Sequence, residues 1–249
     1  KEAELLIRKA IDLKSDFADA HSNLGGILSD LGQQKEAEVY IRKAIELKPN
    51  YAEAYSNLSS VLKSLGQLLN AEIAANKAIE IRPTYAEAYY NLGLILTEQS
   101  KFKEAEIKIK QAIKLKPNYS DAYLNLGTIL ISLGQIREAE ISTLTALKLR
   151  PKSTLALNNL GAIYRKLDKL DEAKNMYQKC VDQYPNSSQF MSNLLYILPK
   201  LCCWDEIDYY SSSLNWIGIT GQAVNPLHFM CLEDNPGNHL KRAIKFNQL

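Results

Sequence analysis

The chain is poor in the residues that carry chemistry. It has three histidines, four cysteines and two tryptophans in 249 positions. Neither His228 nor His239 stands beside a glycine-rich phosphate loop. No His/Cys cluster has metal-ligand spacing. No catalytic residue, metal or cofactor is therefore implied. The cysteines Cys180, Cys202, Cys203 and Cys231 form no Cys-x-x-Cys pair. Adjacent Cys202 and Cys203 are poor mutual disulfide partners, so all four are expected as reduced thiols in a cytoplasmic protein. A charge of one sign is missing too. Thirty basic and 28 acidic residues leave a net charge of +2, which gives no basis for nucleic acid or an anionic membrane as partner. No apolar run approaches the roughly 18 residues that a membrane span needs. There is no signal segment, but Lys1 falls inside a repeating unit, so further repeats are expected before it.

What the chain has instead is a period. Asn23-Leu24-Gly25 returns as Asn57-Leu58-Ser59, Asn91-Leu92-Gly93, Asn125-Leu126-Gly127, Asn159-Leu160-Gly161 and Asn193-Leu194-Leu195, always 34 residues on. A fixed period of this size means stacked supersecondary units. Residues 1–17 read as the second half of one unit, and full units follow at 18–51, 52–85, 86–119, 120–153 and 154–187.

Each unit reads as two helices. In 86–119, Tyr89, Leu92, Gly93 and Leu96 share one helical face, and Ala105, Ile109 and Ala112 share another on the second helix. Gly93 and its counterparts Gly25, Gly127 and Gly161, with Ser59 as the small substitute, are expected where two helices approach closely. Glycine inside a helix costs about 0.5–1 kcal/mol against alanine, so its return needs a packing reason. Gly32, Gly66, Gly134, Asp168 and the region of Ser100 are expected to end first helices, glycine suiting a left-handed cap. Pro49, Pro83, Pro117, Pro151 and Pro185 close the units.

These residues resemble the tetratricopeptide repeat pattern over residues 1 to about 199: a small residue at position 8, alanines at 20 and 27, proline at 32. Position 4, often tryptophan in that family, is His21, Tyr55, Tyr89, Tyr123 and Leu157 here, and is expected to be core. The resemblance implies an all-α, right-handed superhelical solenoid of antiparallel helix pairs. It also implies that the first helices line a concave wall. The sixth unit is expected to break down at Pro199, so that the array covers 1–199 and a helical cap or linker covers 200–249.

Asparagine is a poor helix former because its side chain competes for backbone hydrogen bonds. Yet Asn23, Asn57, Asn91, Asn125, Asn159 and Asn193 all hold position 6 of a first helix. One reading is a ladder of amides that bonds the backbone of an extended peptide. Helices packed about 8–10 Å apart and a strand rise of about 3.3 Å per residue would set one asparagine to roughly three peptide residues. The other reading is structural, each amide bonding a neighbouring repeat. Acidic residues at position 2 (Asp19, Glu53, Glu87, Asp121) and the lack of lysine at position 5 argue against an acidic-tail clamp.

The end of the chain carries a second resemblance. Cys203-Trp204-Asp205, then Gly221, Val224-x-Pro226-x-His228-x-Met230 and Leu240-x-x-Ala243 resemble the segment that joins repeats to catalytic domain in the O-linked N-acetylglucosamine transferase (SPINDLY-like) family. That resemblance implies the substrate-recruiting arm of a protein glycosyltransferase, with nucleotide-sugar lobes beyond Leu249. The alternatives are a free-standing scaffold whose tail is a cap with Trp204 and Trp216 as core, and an array that forms a homodimer through its convex side. Trp204, Ile207, Leu214 and Ile217 suggest one amphipathic helix, Gly218 and Gly221 a turn, Asn225-Pro226 a loop, and Leu240, Ala243, Ile244 and Phe246 a last helix after Pro236-Gly237.

Overall fold

In a computed structural model, residues 2–210, 217 and 236–246 are described. Leu214, Trp216, Gly218, Gly221, Val224, Asn225, Pro226, His228, Met230 and Cys231, and the expectations placed on them, lie outside the described residues. The chain forms two compact units, residues 1–134 and 135–249. Every element among the described residues is helical.

The first unit holds α1 (Glu2–Leu13), α2 (Ala18–Asp30), α3 (Gln34–Leu47), α4 (Ala52–Ser64), α5 (Leu68–Ile81), α6 (Ala86–Glu98), α7 (Phe102–Leu115) and α8 (Ser120–Ser132). The pairs α2–α3, α4–α5 and α6–α7 pack tightly, and α3–α4, α5–α6 and α7–α8 join each pair to the next. The second unit holds α9 (Ile136–Leu149), α10 (Thr154–Lys166), α11 (Leu170–Gln183), α12 (Ser188–Ile197), a 3₁₀ helix (Leu198–Leu201), α13 (Trp204–Tyr210) and α14 (Pro236–Phe246). There α10 packs on α9 and α11, and α12 on α11. This is the helix-pair solenoid that the period predicts.

The expected close approaches are present. A Cβ on Gly25 would lie 2.3 Å from Ile41 Cγ1, one on Gly93 2.6 Å from Ile109, and one on Gly161 2.5 Å from Tyr177. In the second full repeat the position-8 residue is Ser59, fully buried, and the position-24 residue shrinks to a buried Ala75. The alanines Ala37, Ala44, Ala71, Ala78, Ala105 and Ala112 are buried completely, which lets the paired helices close on each other.

The turn inside each repeat has one geometry. Gly32, Gly66, Ser100, Gly134, Asp168 and Cys202 all take positive φ, between 55° and 79°. After five of them the next backbone N–H reaches back five residues: Gln33 to Leu28, Gln67 to Leu62, Lys101 to Leu96, Lys169 to Tyr164 and Cys203 to Leu198, at 2.8–3.0 Å. That is the Schellman closure, which satisfies carbonyls left open at a helix end.

Cys202 falls one period after Asp168, and α13 begins one period after α11. The helix–turn–helix register therefore runs past Pro199, which is accommodated in the 3₁₀ helix. Ile207, buried, stands where earlier repeats place alanine. The expected helix over 204–217 is corrected at its end. Ile217 is not helical; it is buried, and its carbonyl accepts a 2.8 Å bond from Nε of the fully buried Arg242. Trp204 is 57% exposed, so it is not the buried anchor of a cap.

Between repeats, Phe17, Tyr51, Tyr85 and Tyr119 precede first helices without side-chain capping. Each carries a cation over its ring: Lys14, Lys48, Arg82 and Lys116 at 4.2–5.7 Å. From residue 153 on, serine replaces the aromatic. Ser153 and Ser187 accept from the N–H of Ala156 and Phe190 as ordinary N-caps.

Candidate functional site

In the first unit the asparagines stand on α2, α4, α6 and α8, and three of them share one device. Asn57 donates from Nδ2 to Ser22 Oγ at 3.3 Å. Asn91 donates to both the carbonyl and the hydroxyl of Ser56, at 3.2 and 3.0 Å. Asn125 donates to Tyr90 Oη at 3.0 Å and to the Asp121 carbonyl one turn back at 2.8 Å. In the second unit Asn193 on α12 donates to Asn158 Oδ1 at 2.8 Å. The partner is in each case 35 residues earlier, position 5 of the preceding repeat. Asn159 on α10 is half-buried, and Asn23 on α2 is exposed with its amide unbonded among the described residues.

The structural reading of these asparagines is thus realised for their amide nitrogens. Both hydrogens of Asn91 and of Asn125 are spent inside the chain. Their oxygens are not. Oδ1 of Asn57, Asn91, Asn125 and Asn193 accepts no hydrogen bond among the described residues, and none of these oxygens is a buried unpaired atom. Held by its own nitrogen, each presents a fixed acceptor to solvent.

The acids at position 2 are not free charges. Asp19 pairs with Lys48 (3.6 Å), Glu53 with Arg82 (2.7 Å) and Glu87 with Lys116 (2.7 Å), each 29 residues on. Burial pushes the Glu87 carboxyl up, but the bond from Lys116 and its own backbone N–H bring it below the ordinary carboxyl value. Tyr51 is pushed up to about 12 by burial and by Asp19. These pairs neutralise the side of the repeat that sequence alone reads as acidic.

His21 is core, as its position predicts. It is buried, its Nε2 bonds the Ser15 carbonyl at 2.9 Å, and it stacks on Tyr40. Among the described residues no three His, Cys, Asp or Glu side chains gather to hold a metal, and no helix is long and apolar enough to cross a membrane. Sequence reasoning missed one feature, a cavity of about 670 Å³ between α3, α4 and α5, walled by Arg42, Tyr55, Leu58, Leu62, Ile73 and Ala74. On α4, Tyr55 and Asn57 are two positions apart, about 200° around the axis, so the cavity and the amides face different ways.

Profiles of the tetratricopeptide repeat family match residues 18–51, 86–119 and 154–187, 52–85, and 109–141. No curated protein matches the chain. Among solved structures it is similar to YrrB, described as a TPR protein with an unusual peptide-binding site, at 24% identity over 74% of this chain and 95% of that one, with a TM-score of 0.57. It is similar to MamA at 25% identity over 64% and 93%, TM-score 0.57. It is also similar to pilF of Pseudomonas aeruginosa at 20% identity over 93% and 97%, TM-score 0.73. Repeating helix pairs, the Schellman turns and these matches define a solenoid of protein-binding type. The chain belongs to the tetratricopeptide repeat family.

Proposed function

We propose that this chain is a peptide-binding scaffold whose asparagine face receives an extended segment of a partner protein. The observation that carries this is the fixed, solvent-facing Oδ1 of Asn57, Asn91 and Asn125. An acceptor of this kind takes a backbone N–H. Binding then reads main chain more than side chain and is weakly sequence-selective. Asn23 in the first unit, and Asn159 and Asn193 in the second, hold the same repeat position and are further contacts within their own units. That YrrB is a TPR protein with an unusual peptide-binding site agrees with this reading. The test is a selection from a random peptide library, followed by N-methylation of each backbone N–H of a selected binder. Loss of binding at about every third residue supports the reading; indifference to N-methylation at every position overturns it.

The particular role we propose is the recruiting arm of a protein O-glycosyltransferase of the O-linked N-acetylglucosamine transferase (SPINDLY-like) type, acting in the cytoplasm. Its support is the sequence resemblance over 193–249 alone. Reading the gene past the codon for Leu249 tests it. A frame continuing into a nucleotide-sugar fold supports the role, and a stop codon at that point leaves a free-standing adaptor.

A second reading, self-association, rests on a row of aliphatic side chains. Leu5, Val39, Ile73 and Ile107, one period apart on α1, α3, α5 and α7, are all more than half exposed. Light scattering over a concentration series tests it: a dimer mass that Ile73→Lys with Ile107→Lys reduces to a monomer supports it, and a constant monomer mass removes it.

A further inference from the structure

The cavity between α3, α4 and α5 has counterparts in the chain's other repeats. In the repeat before it, the same place is filled. Tyr40 of α3 lies there, its ring stacked on His21 with centroids 5.9 Å apart and planes 27° apart. Arg8 sits over the ring at 5.6 Å, and its Nη1 donates to Tyr40 Oη at 3.0 Å. Arg8 is itself aimed by Glu4, four residues back, which accepts from Nε at 3.1 Å.

Thirty-four residues on, the frame is repeated and the filler is gone. Arg42 replaces Arg8 and is aimed by Glu38 in the same way, with Nε and Nη2 donating at 3.0 and 2.8 Å. Its Nη1, the nitrogen that in Arg8 holds the phenol, has no partner among the described residues. Tyr55 replaces His21 and makes no ring contact among the described residues. Ala74 replaces Tyr40, and the cavity of about 670 Å³ opens over it.

The sixth repeat, within the second unit, fills its copy again. Tyr210 stands five periods after Tyr40, and its Oη accepts a 2.8 Å bond from Nε2 of Gln178, which stands five periods after Arg8. The slot therefore takes tyrosine twice from within this chain. The volume lies in the range of about 300–1,000 Å³ typical of ligand clefts, enough for one aromatic side chain and part of a neighbour. The floor, Leu58, Leu62 and Ala74, is buried and apolar.

We propose that the α3–α4–α5 cavity is a docking slot for a tyrosine side chain of a partner polypeptide. The ring lies on Tyr55 over Leu58 and Leu62, and its hydroxyl accepts from Arg42 Nη1. This is a specificity pocket distinct from the asparagine face. It anchors a partner at one residue, where the amides would read backbone, and it stands or falls independently of them.

The probe is N-acetyl-L-tyrosinamide, titrated into the full chain carrying ¹³C-labelled Ala and Leu methyls. Saturable shifts of Ala74, Leu58 and Leu62 are expected, with N-acetyl-L-phenylalaninamide binding about tenfold more weakly for want of the charge-assisted hydroxyl bond. Arg42→Leu should erase that preference. Ala74→Tyr should fill the slot as Tyr40 does and abolish the shifts; because it restores a residue the fold already accommodates twice, its melting temperature should not fall. Absence of saturable shifts in the unaltered chain would overturn the proposal, as would undiminished binding to Ala74→Tyr. A concentration-dependent dimer that Ala74→Tyr dissolves would also overturn it, since the occupant would then be a second copy of this chain.

Discussion

Gly93 meets Ile109 so closely that a Cβ on the glycine would stand 2.6 Å from two carbons of the isoleucine side chain. The neighbouring repeat solves the same packing problem with Ser59 and Ala75, exchanging a larger residue on one helix for a smaller one on the other. Size is thus shared between positions 8 and 24 rather than fixed at either. Gly93→Ser alone should destabilise by about 1–3 kcal/mol, the usual cost of overpacking a dense core. In an Ile109→Ala background the same change should cost far less. Denaturant melts of the two single variants and the double variant measure the coupling; simple additivity would mean that the two sites do not share the space.

Ser100, Asp168 and Cys202 hold left-handed backbone conformations that Gly32, Gly66 and Gly134 hold in other repeats. A non-glycine residue pays roughly 1–2 kcal/mol there, and glycine avoids most of it at some cost in unfolded-chain entropy. Ser100→Gly should therefore raise stability, by about 0.5–1 kcal/mol, with no change in secondary structure. Thermal melts followed by circular dichroism check this; a lowered melting temperature would contradict it.

Glu87 has a carboxyl held below its ordinary value by Lys116 despite burial. A depressed carboxyl contributes stability that is present above its unfolded value and lost as pH falls through its folded one. Both groups are partly exposed, so the contribution is small. Glu87→Gln should lower the melting temperature at pH 7 and leave it almost unchanged at pH 3. An equal effect at both values would assign the loss to packing and not to charge.

Cys180 is fully buried, and burial pushes its thiol up to about 12, whereas Cys202 is exposed at the turn. The thiolate is the reactive form. A maleimide or aromatic disulfide reagent at pH 8 should label Cys202 within minutes and spare Cys180 until the chain is unfolded. Mass spectrometry of tryptic peptides reads out both sites.

Much of this architecture was legible in the sequence because the constraints repeat. Gly25, Gly93 and Gly161 mark close approach, Gly32 and Gly66 mark turns, and the prolines mark unit ends, each for a reason that returns every 34 residues. A helix from Trp204 was legible, but not as the second helix of a sixth unit, because Ile207 takes a place where alanine gave the signal. The asparagine period was visible, but not that Asn91 spends both hydrogens on Ser56 and keeps its oxygen. The cavity was hidden for a different reason. Ala74 looks like any small helical residue until Tyr40 is seen lying between Arg8 and His21.

The most direct test of the asparagine face compares the chain with its Asn57→Ala, Asn91→Ala, Asn125→Ala triple variant. The affinity of one library-selected peptide is measured for both, at a temperature well below each melting transition. Three lost acceptors, at about 0.5–1.5 kcal/mol for each hydrogen bond, should weaken binding at least tenfold while the helical signal persists. An unchanged dissociation constant in a folded triple variant would contradict the account, and would leave the amides with their inter-repeat bonds as their whole role.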